Sequence, residues 1–154
     1  MKLLVQRVSK ASVEVEEEVI GSIGQGVLVF VGFDKEDNLD TLTSLSEKLL
    51  NYKIFNDSNH KVALSLIETQ NDILIVPQVT LSVGTKKGTK PSFSHAADPE
   101  TGHELFTDFK GLLESKFKRV ESGKFGAEMS VSLVNEGPIT FWFELYLFFC
   151  LLNK

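Results

Sequence analysis

The chain has 154 residues, of which 42% are hydrophobic and 24% are charged, and this is enough for one compact domain, taken as residues 1–154. Its formal net charge of −5 excludes a global basic field, so a nucleic acid would have to be bound by a local patch. A single cysteine and a charged, short apolar start predict a cytoplasmic protein without an intramolecular disulfide or a signal peptide.

Apolar runs in the first part of the chain predict four strands, which are Lys2–Ser9, Ala11–Glu16, Val19–Ile23 and Gly26–Gly32. In the second of these, Val13 and Val15 alternate with polar residues, which is the period of a half-buried strand. The acidic residues Glu14, Glu16, Glu17 and Glu18 could hold a metal ion, but a solvated strand face and turn is the simpler interpretation.

The middle of the chain predicts two main helices and a strand. A leucine stripe with acidic residues near its start favours a helix over Asp37–Tyr52. Asp72–Leu81 is apolar and predicts a buried strand. The second helix is expected to begin at Asp98, because aspartate is a good N-cap and Pro99 suits the first helical position.

Two more strands, Met129–Asn135 and Ile139–Leu145, are predicted around Glu136-Gly137-Pro138. The apolar tail 146–154 belongs to a run too short to span a bilayer, which takes about 20 residues. The tail could pack on its own domain or on a partner subunit. Many strands and few helices indicate a strand-rich α+β fold with a barrel-like, curved sheet.

The segment Gly84–Ala97 is predicted to be a loop, and it carries the positive cluster Lys86, Lys87 and Lys90. Two interpretations remain open for this cluster: a flexible basic loop, or a loop that contacts phosphates.

The residue types of common catalytic sites are not arranged in any recognisable motif. His60, His95 and His103 do not stand at metal-ligand spacing, and no nucleophile elbow precedes a serine. We therefore expect neither a metal nor a cofactor, and these patterns alone name no function.

Four segments, in this order and spacing, change that conclusion: Gln6-Arg7-Val8, Pro77-Gln78-Val79-Thr80-Leu81, Gly123-Lys124-Phe125-Gly126-Ala127-Glu128-Met129 and Asn135-Glu136-Gly137-Pro138-Ile139-Thr140. Each segment alone is a weak signal. Together they resemble the D-aminoacyl-tRNA deacylase family, also known as D-tyrosyl-tRNA(Tyr) deacylases. The similarity runs from Met1 to about Phe143, and the tail lies beyond the usual end of the family.

The resemblance implies a homodimer that hydrolyses the ester of D-aminoacyl-tRNA, and also of glycyl-tRNA, at the subunit interface. A cis Gly137–Pro138 bond would enter the partner's pocket as a chirality gate and would be braced by Arg7. The segment Gln78–Thr80 would line that pocket with backbone groups.

The resemblance also implies where the tRNA lies and how the ester is cleaved. Phe125 and Met129 would hold the terminal adenine. The family is described as needing no metal and as using the 2′-hydroxyl of the RNA. Backbone N–H groups suit this chemistry, because an aminoacyl ester is already activated.

The sequence departs from the family at one segment. The family usually has Ser-Gln-Phe-Thr where this chain has Pro77-Gln78-Val79-Thr80. A related animal group with Pro-Gln-Ala-Thr corrects L-alanine on a threonine tRNA and is described as having a trans Gly-Pro bond. The alternatives are therefore an L-alanyl-tRNA deacylase, or a dimer that binds tRNA or DNA, or serves as a scaffold, without catalysis.

Overall fold

The computed structural model describes residues 1–145. The elements are β1 Lys2–Val15, β2 Glu18–Ile23, β3 Gly26–Gly32, α1 Leu39–Asn51, β4 Phe55–Asn56, β5 Val62–Leu64, α2 Leu66–Thr69, β6 Asp72–Pro77, a 3₁₀ turn Val79–Ser82, α3 Pro99–Lys116, β7 Val120–Ser122 and β8 Ser130–Glu144. The expected packing of the tail 146–154 lies outside the described residues.

The main sheet is mixed and strongly curved. Its strand order is β2-β1-β3-β6-β7, and β8 pairs with the other edge of β1. The pairs β3–β6 and β6–β7 are parallel. The ends of the sheet approach each other, since a Cβ built on Gly21 of β2 would lie 3.1 Å from the carbonyl oxygen of Ser122 in β7. The predicted strand-rich α+β fold with a barrel-like sheet is confirmed, and α2 adds a short third helix.

Each face of the sheet buries its own apolar cluster. Helices α1 and α3 cover one face, where Leu3 and Val5 pack with helix residues such as Leu49 and Phe109. The curved second face encloses a smaller cluster that includes Val13 and Leu74. Among residues 1–145, no helix has both the length and the apolar character needed to cross a membrane.

Strand β1 was predicted as two strands, and this prediction is wrong. The pairing with β8 shifts register between Val8 and Lys10. Alternate residues of a regular strand face the same side. Val8 faces the smaller cluster from an even-numbered position, but Ala11 and Val13, beyond the shift, face it from odd-numbered positions. A β-bulge at this point changes which residues face inward without ending the strand.

The predicted strand Asp72–Leu81 ends early, at Pro77. Pairing with β7 stops at Ile75, and the last residue paired with β3 is Pro77. Proline has no N–H to donate to a ladder. The chain then enters the 3₁₀ turn, and the Gln78 N–H donates to the carbonyl of Val31 at 2.7 Å.

The helix boundaries are close to those predicted. Helix α1 begins at Leu39, because the Asn38 side chain, and not that of Asp37, accepts the N–H groups of Asp40 and Thr41. Burial raises the pKa of Asp37, whose carboxylate accepts the Asp34 N–H. The predicted start of α3 is confirmed, with Asp98 as N-cap.

Candidate active site

Pro77 and Met129, which are distant in sequence, meet at Gly123. A Cβ built on Gly123 would lie 2.8 Å from Met129 Sδ and 3.4 Å from Pro77 Cδ. The Gly123 N–H donates to the Ile75 carbonyl at 2.8 Å, so this segment continues alongside β6 after β7 has ended. Only a residue without a side chain allows this close approach, and no residue pattern around Gly123 indicates it.

The segment Gln78–Thr80 forms the start of the 3₁₀ turn, next to this cluster. Pro77 is buried, whereas Val79 is 49% exposed and Thr80 is also exposed. Gln78 Nε2 donates to Thr80 Oγ1 at 2.6 Å. The first N–H groups of a helix have no carbonyl partner within it, so the N–H groups of Val79 and Thr80 are available as donors at an exposed position.

Phe125 lies between the Gly123 cluster and α3. Its ring tip would be 3.0 Å from a Cβ built on Gly102. The ring centroid is 5.4 Å from that of His103 and 6.0 Å from that of Phe106. The half-buried Phe125 is thus held by the first turns of α3, and His103 is a neighbour that no sequence motif assigned to the site.

A cleft of about 680 Å³ lies beside Phe125 and Met129. Its other wall is the β1–β2 turn, where Glu16 and Glu17 have φ angles of 52° and 64°. Glu14 and Glu128 also line the cleft. Within residues 1–145, no three His, Cys, Asp or Glu side chains are grouped as a metal ion would require.

The segment Gly84–Ala97, which carries the three lysines and is called the lysine loop, borders a second cleft of about 670 Å³ beyond the 3₁₀ turn. Lys86 and Lys87 line it together with Ser82 and Val83, whereas Lys90 lies further along the loop and is exposed. Lys2 also lines this cleft, but its charge is paired with Asp34 at 2.6 Å.

The Asp34 carboxylate at this cleft stays ionised. Burial acts to raise its pKa, but the hydrogen bond from Lys2 and the nearby positive charges outweigh burial and lower the pKa. Asp34 thus neutralises Lys2, whereas Lys86 and Lys87 contribute positive charge from the loop side of the cleft.

The Gly137–Pro138 peptide bond is cis, as expected, and both residues are exposed. They lie within β8, which runs unbroken from Ser130 to Glu144 although two strands were predicted here. Gln6 pairs with Thr140, and Val8 pairs with Asn135. One residue, Arg7, lies between the two pairs on β1, whereas four residues, 136–139, lie between them on β8. The extra residues loop out of the ladder.

Arg7 and Asn135 lie at the base of this loop. Arg7 is 7% exposed, and its Nη1 donates to the carbonyl of Ile54 and to Oδ1 of Asn56. Its Nε lies 3.5 Å from Oε2 of Glu136. These contacts put Arg7 against the Gly-Pro loop, and the bracing role assigned to Arg7 stays a prediction.

The Gly-Pro loop is remote from Pro77 within one chain. Along the strand direction, the distance can be read from β1. Arg7 lies beside the loop, and Leu3 lies in the same cross-strand row as Pro77. These two residues are four positions apart, which is about 13 Å. Strands β1 and β3 separate β8 from β6, which adds three spacings of about 4.8 Å each. One chain therefore keeps the two expected halves of the site apart.

A partly exposed apolar row crosses the sheet near these elements. Trp142, Leu4, Phe30 and Val76 are paired in register across β8, β1, β3 and β6. Trp142 is 47% exposed, and Leu4 and Phe30 are only half-buried. Val76 is buried, so the exposed part of the row is Trp142 with the half-buried Leu4 and Phe30, and contiguous apolar side chains of this kind are typical of interaction surfaces.

Comparison with known proteins identifies relatives over nearly the whole chain. The family described as D-Tyr-tRNA(Tyr) deacylase matches residues 4–144. A D-aminoacyl-tRNA deacylase of Teredinibacter turnerae is 46% identical over 94% of this chain and 99% of its own length. One from Histophilus somni is 48% identical over 94% of this chain and its full length.

Two solved structures share the fold. The c-Myc DNA Unwinding Element Binding Protein has a TM-score of 0.91 at 37% identity, covering 95% of this chain and 99% of its own. A probable eukaryotic D-amino acid tRNA deacylase has a TM-score of 0.79 at 25% identity, covering 94% and 98%.

Proposed function

Because the chain belongs to the D-Tyr-tRNA(Tyr) deacylase family, we propose that it hydrolyses the ester between a D-amino acid and the 3′ end of tRNA. The enzyme would be a hydrolase that works in translation quality control in the cytoplasm. The observation that carries the proposal is the meeting of Pro77 and Met129 at Gly123. At Gly123 the segment expected to bind the amino acid therefore lies beside the segment expected to bind the terminal adenosine.

Catalysis in this proposal depends on positioning and backbone donors. The N–H groups of Val79 and Thr80 have no partner within the 3₁₀ turn. They would donate to the oxyanion that develops as the ester is attacked, an effect worth about 10²–10³ in rate for one donor. The Thr80 hydroxyl already accepts a hydrogen bond from Gln78, and no histidine or carboxylate among residues 1–145 is hydrogen-bonded to it. The RNA's own 2′-hydroxyl would assist the reaction.

The terminal adenine would lie on Phe125 and Met129, which line the cleft beside the Gly123 cluster. Stacking on an aromatic ring is the usual way to bind an unpaired base. The acidic wall formed by Glu14, Glu16 and Glu17 disfavours phosphate, so the base would enter this cleft. The phosphates would instead meet Lys86, Lys87 and Lys90, outside that cleft.

The complete site would form between two copies of the chain. Gly137–Pro138 and Pro77 are separated by several strand spacings within one copy, so a second copy must supply the Gly-Pro loop. The apolar row Trp142, Leu4 and Phe30 offers the surface for such a dimer. A two-fold contact would bury the same row on both copies, and each loop would reach the other copy's site.

The gate in this proposal excludes L-amino acids by a wall of backbone. A Cβ built on Gly137 would meet its nearest atom, Asn135 Oδ1, at 3.7 Å, so the position is open within its own chain. Inserted into a partner's pocket, the bare backbone of Gly137 could approach the substrate closely. An L side chain would clash there, whereas glycine has none, so glycyl-tRNA should also be cleaved.

One other candidate substrate follows from Pro77 and Val79, which differ from the usual family residues. A smaller residue at position 79 would leave room for a different substrate, such as L-alanyl-tRNA. The relative described as a DNA Unwinding Element Binding Protein also raises DNA binding without hydrolysis. The net charge of −5 argues against strong DNA binding.

Hydrolysis of D-tyrosyl-, L-tyrosyl-, glycyl- and L-alanyl-tRNA under one set of conditions tests the proposal. We expect the enzyme to release D-tyrosine and glycine. L-tyrosyl-tRNA should be hydrolysed only at the rate seen without enzyme. Preferential release of L-alanine would replace the substrate assignment. Binding of tRNA or duplex DNA without release of any amino acid would contradict the enzyme assignment.

A further inference from the structure

The Gly-Pro loop leaves a gap in the sheet that another residue fills. Only Arg7 lies between the paired residues Gln6 and Val8, but residues 136–139 lie between their partners on β8. In an antiparallel ladder, each carbonyl normally receives an N–H from the neighbouring strand. Where the loop leaves the ladder, carbonyl groups at its base need another donor.

The Asn135 side chain supplies this donor to both sides of the gap. Its Nδ2 donates to the Arg7 carbonyl at 3.0 Å and to the Ile139 carbonyl at 3.1 Å. The first bond ties the loop base to β1, and the second closes the loop from residue 135 to residue 139. An NH₂ group has two hydrogens, so one carboxamide can make both bonds.

We propose that Asn135 is the positioning residue of the gate, and that its carboxamide fixes the projection of Gly137–Pro138 from the sheet. This inference rests on the proposed function, because it takes the loop to be the part that meets the substrate. Asn135 itself makes no contact with substrate in this account. It acts through the loop, whose displacement by about 1 Å would cost about 10²-fold in rate.

The chemistry of the carboxamide makes the proposal specific. Aspartate has nearly the same shape, but its ionised carboxylate offers only acceptors and would face two carbonyl oxygens. Asn135→Asp therefore replaces two attractions by two repulsions without changing side-chain volume. Asn135→Ala removes the bonds without adding repulsion. Asn59→Asp, in the exposed turn before β5, is the matched control, because aspartate is well tolerated in turns.

The experiment measures kcat and KM of the full chain on D-tyrosyl-, glycyl- and L-tyrosyl-tRNA. For Asn135→Asp we expect kcat on the D substrate to fall by about 10²-fold, with little change in KM, because the nucleotide contacts lie elsewhere. For Asn135→Ala, kcat on the D substrate should fall by a smaller factor. Selectivity for D over L should decrease in both variants, and Asn59→Asp should match the wild type.

A pH series separates positioning from a general structural role. The two carbonyl oxygens beside the introduced carboxyl and the adjacent Glu136 carboxylate disfavour its ionised form and raise its pKa. The Arg7 guanidinium would act in the opposite direction, but its charge is shared with Glu136 at 3.5 Å. Once protonated, it can donate a hydrogen bond again. The ratio of Asn135→Asp to wild-type activity should therefore increase between about pH 8 and pH 5, and the Asn135→Ala ratio should stay constant.

Two results would overturn the inference. One is that Asn135→Asp keeps the wild-type kcat and selectivity. The other is that all substrates fall by one factor, at every pH, together with the melting temperature.

Hydrogen exchange distinguishes a failed inference from a failed function. If wild type and Asn59→Asp do not release D-tyrosine, the proposed function fails. Faster exchange confined to residues 135–139 in Asn135→Asp would still support the positioning role, and unchanged exchange there would overturn it.

Discussion

Gln78 Nε2 donates a 2.6 Å hydrogen bond to Thr80 Oγ1, so the only hydroxyl in the Gln78–Thr80 segment is an acceptor of an amide hydrogen. Within residues 1–145, no histidine or carboxylate is hydrogen-bonded to that hydroxyl. A threonine needs a neighbouring base to act as a nucleophile. This contact therefore favours a role for the backbone of Thr80 over a role for its hydroxyl.

Thr80→Val should keep deacylation of D-tyrosyl-tRNA within about tenfold of the wild type, because the backbone N–H survives. Thr80→Pro removes that N–H, which has no carbonyl partner within the 3₁₀ turn, and because proline restricts Val79 before it, the melting temperature of the variant is measured alongside. Thr80→Pro should reduce kcat by about 10²–10³-fold. Single-turnover rates compare the two variants. A loss of several orders of magnitude in Thr80→Val, with folding intact, would make the hydroxyl the attacking group.

Replacing Lys86 and Lys87 together with alanine should weaken tRNA binding and flatten its dependence on salt. If both contact phosphates, the slope of log K against log salt should decrease by about 1.4–1.8. The turnover of bound substrate should change little. The double variant Lys61→Ala with Lys118→Ala removes the same charge from exposed positions elsewhere and serves as the control. Equal salt slopes in the two double variants would show that the loop is a flexible basic segment that does not contact phosphates.

Phe125→Leu keeps the apolar contact with Gly102 but removes the stacking face. Loss of base stacking costs about 1–3 kcal/mol, so KM for D-tyrosyl-tRNA should rise by about 5- to 150-fold while kcat changes little. A substrate that lacks the terminal adenine base should show the same weakening with the wild type. On that substrate, the KM of Phe125→Leu should equal the KM of the wild type, because the stacking interaction is already absent. Independent, additive losses would mean that Phe125 is only a core residue.

Asp98 links the stability of α3 to pH, and α3 holds Phe125. Hydrogen bonds from the Thr101 and Glu100 backbone lower the pKa of Asp98 below its ordinary value of 3.8. A lowered pKa gives stability that is present above the ordinary value and is lost as pH falls through the folded value. Asparagine also caps helices but does not titrate.

The stability advantage of wild type over Asp98→Asn should therefore stay constant from about pH 7 to pH 5 and shrink as the pH falls below about 5. Urea midpoints at several pH values measure this difference. A constant difference across the series would mean that the ionised cap contributes nothing.

The curved sheet and two main helices could be predicted from residue patterns, because burial period and capping act locally. The N-cap of α3 is an example, since Asp98 and Pro99 carry their preference in their own chemistry. The end of β6 had a local signal in Pro77, which cannot donate to a ladder, whereas its pairing with β7 over only half of the strand has none. The bulge in β1 likewise depends on β8, more than 120 positions away.

The site divides in the same way. The family segments predicted Pro77, Phe125, Met129 and Gly137–Pro138 as site residues from the amino-acid sequence alone. The approach of Pro77 and Met129 to Gly123 depends on tertiary packing that no local pattern encodes. The two bonds of Asn135 were missed for the same reason, because a single asparagine beside a Gly-Pro turn is ordinary turn chemistry.

Subunit mixing tests the shared active site most directly. Gly137→Val should fold, because its own chain leaves room at that position, but the added side chain would block the partner's pocket. Thr80→Pro should disable the pocket that carries it. Each homodimer should be inactive on D-tyrosyl-tRNA. Dimers refolded from an equal mixture should recover about a quarter of wild-type activity, since half of them would be mixed and would contain one intact site. No recovery, with mixed dimers shown by differential tagging, would contradict a site shared between two copies.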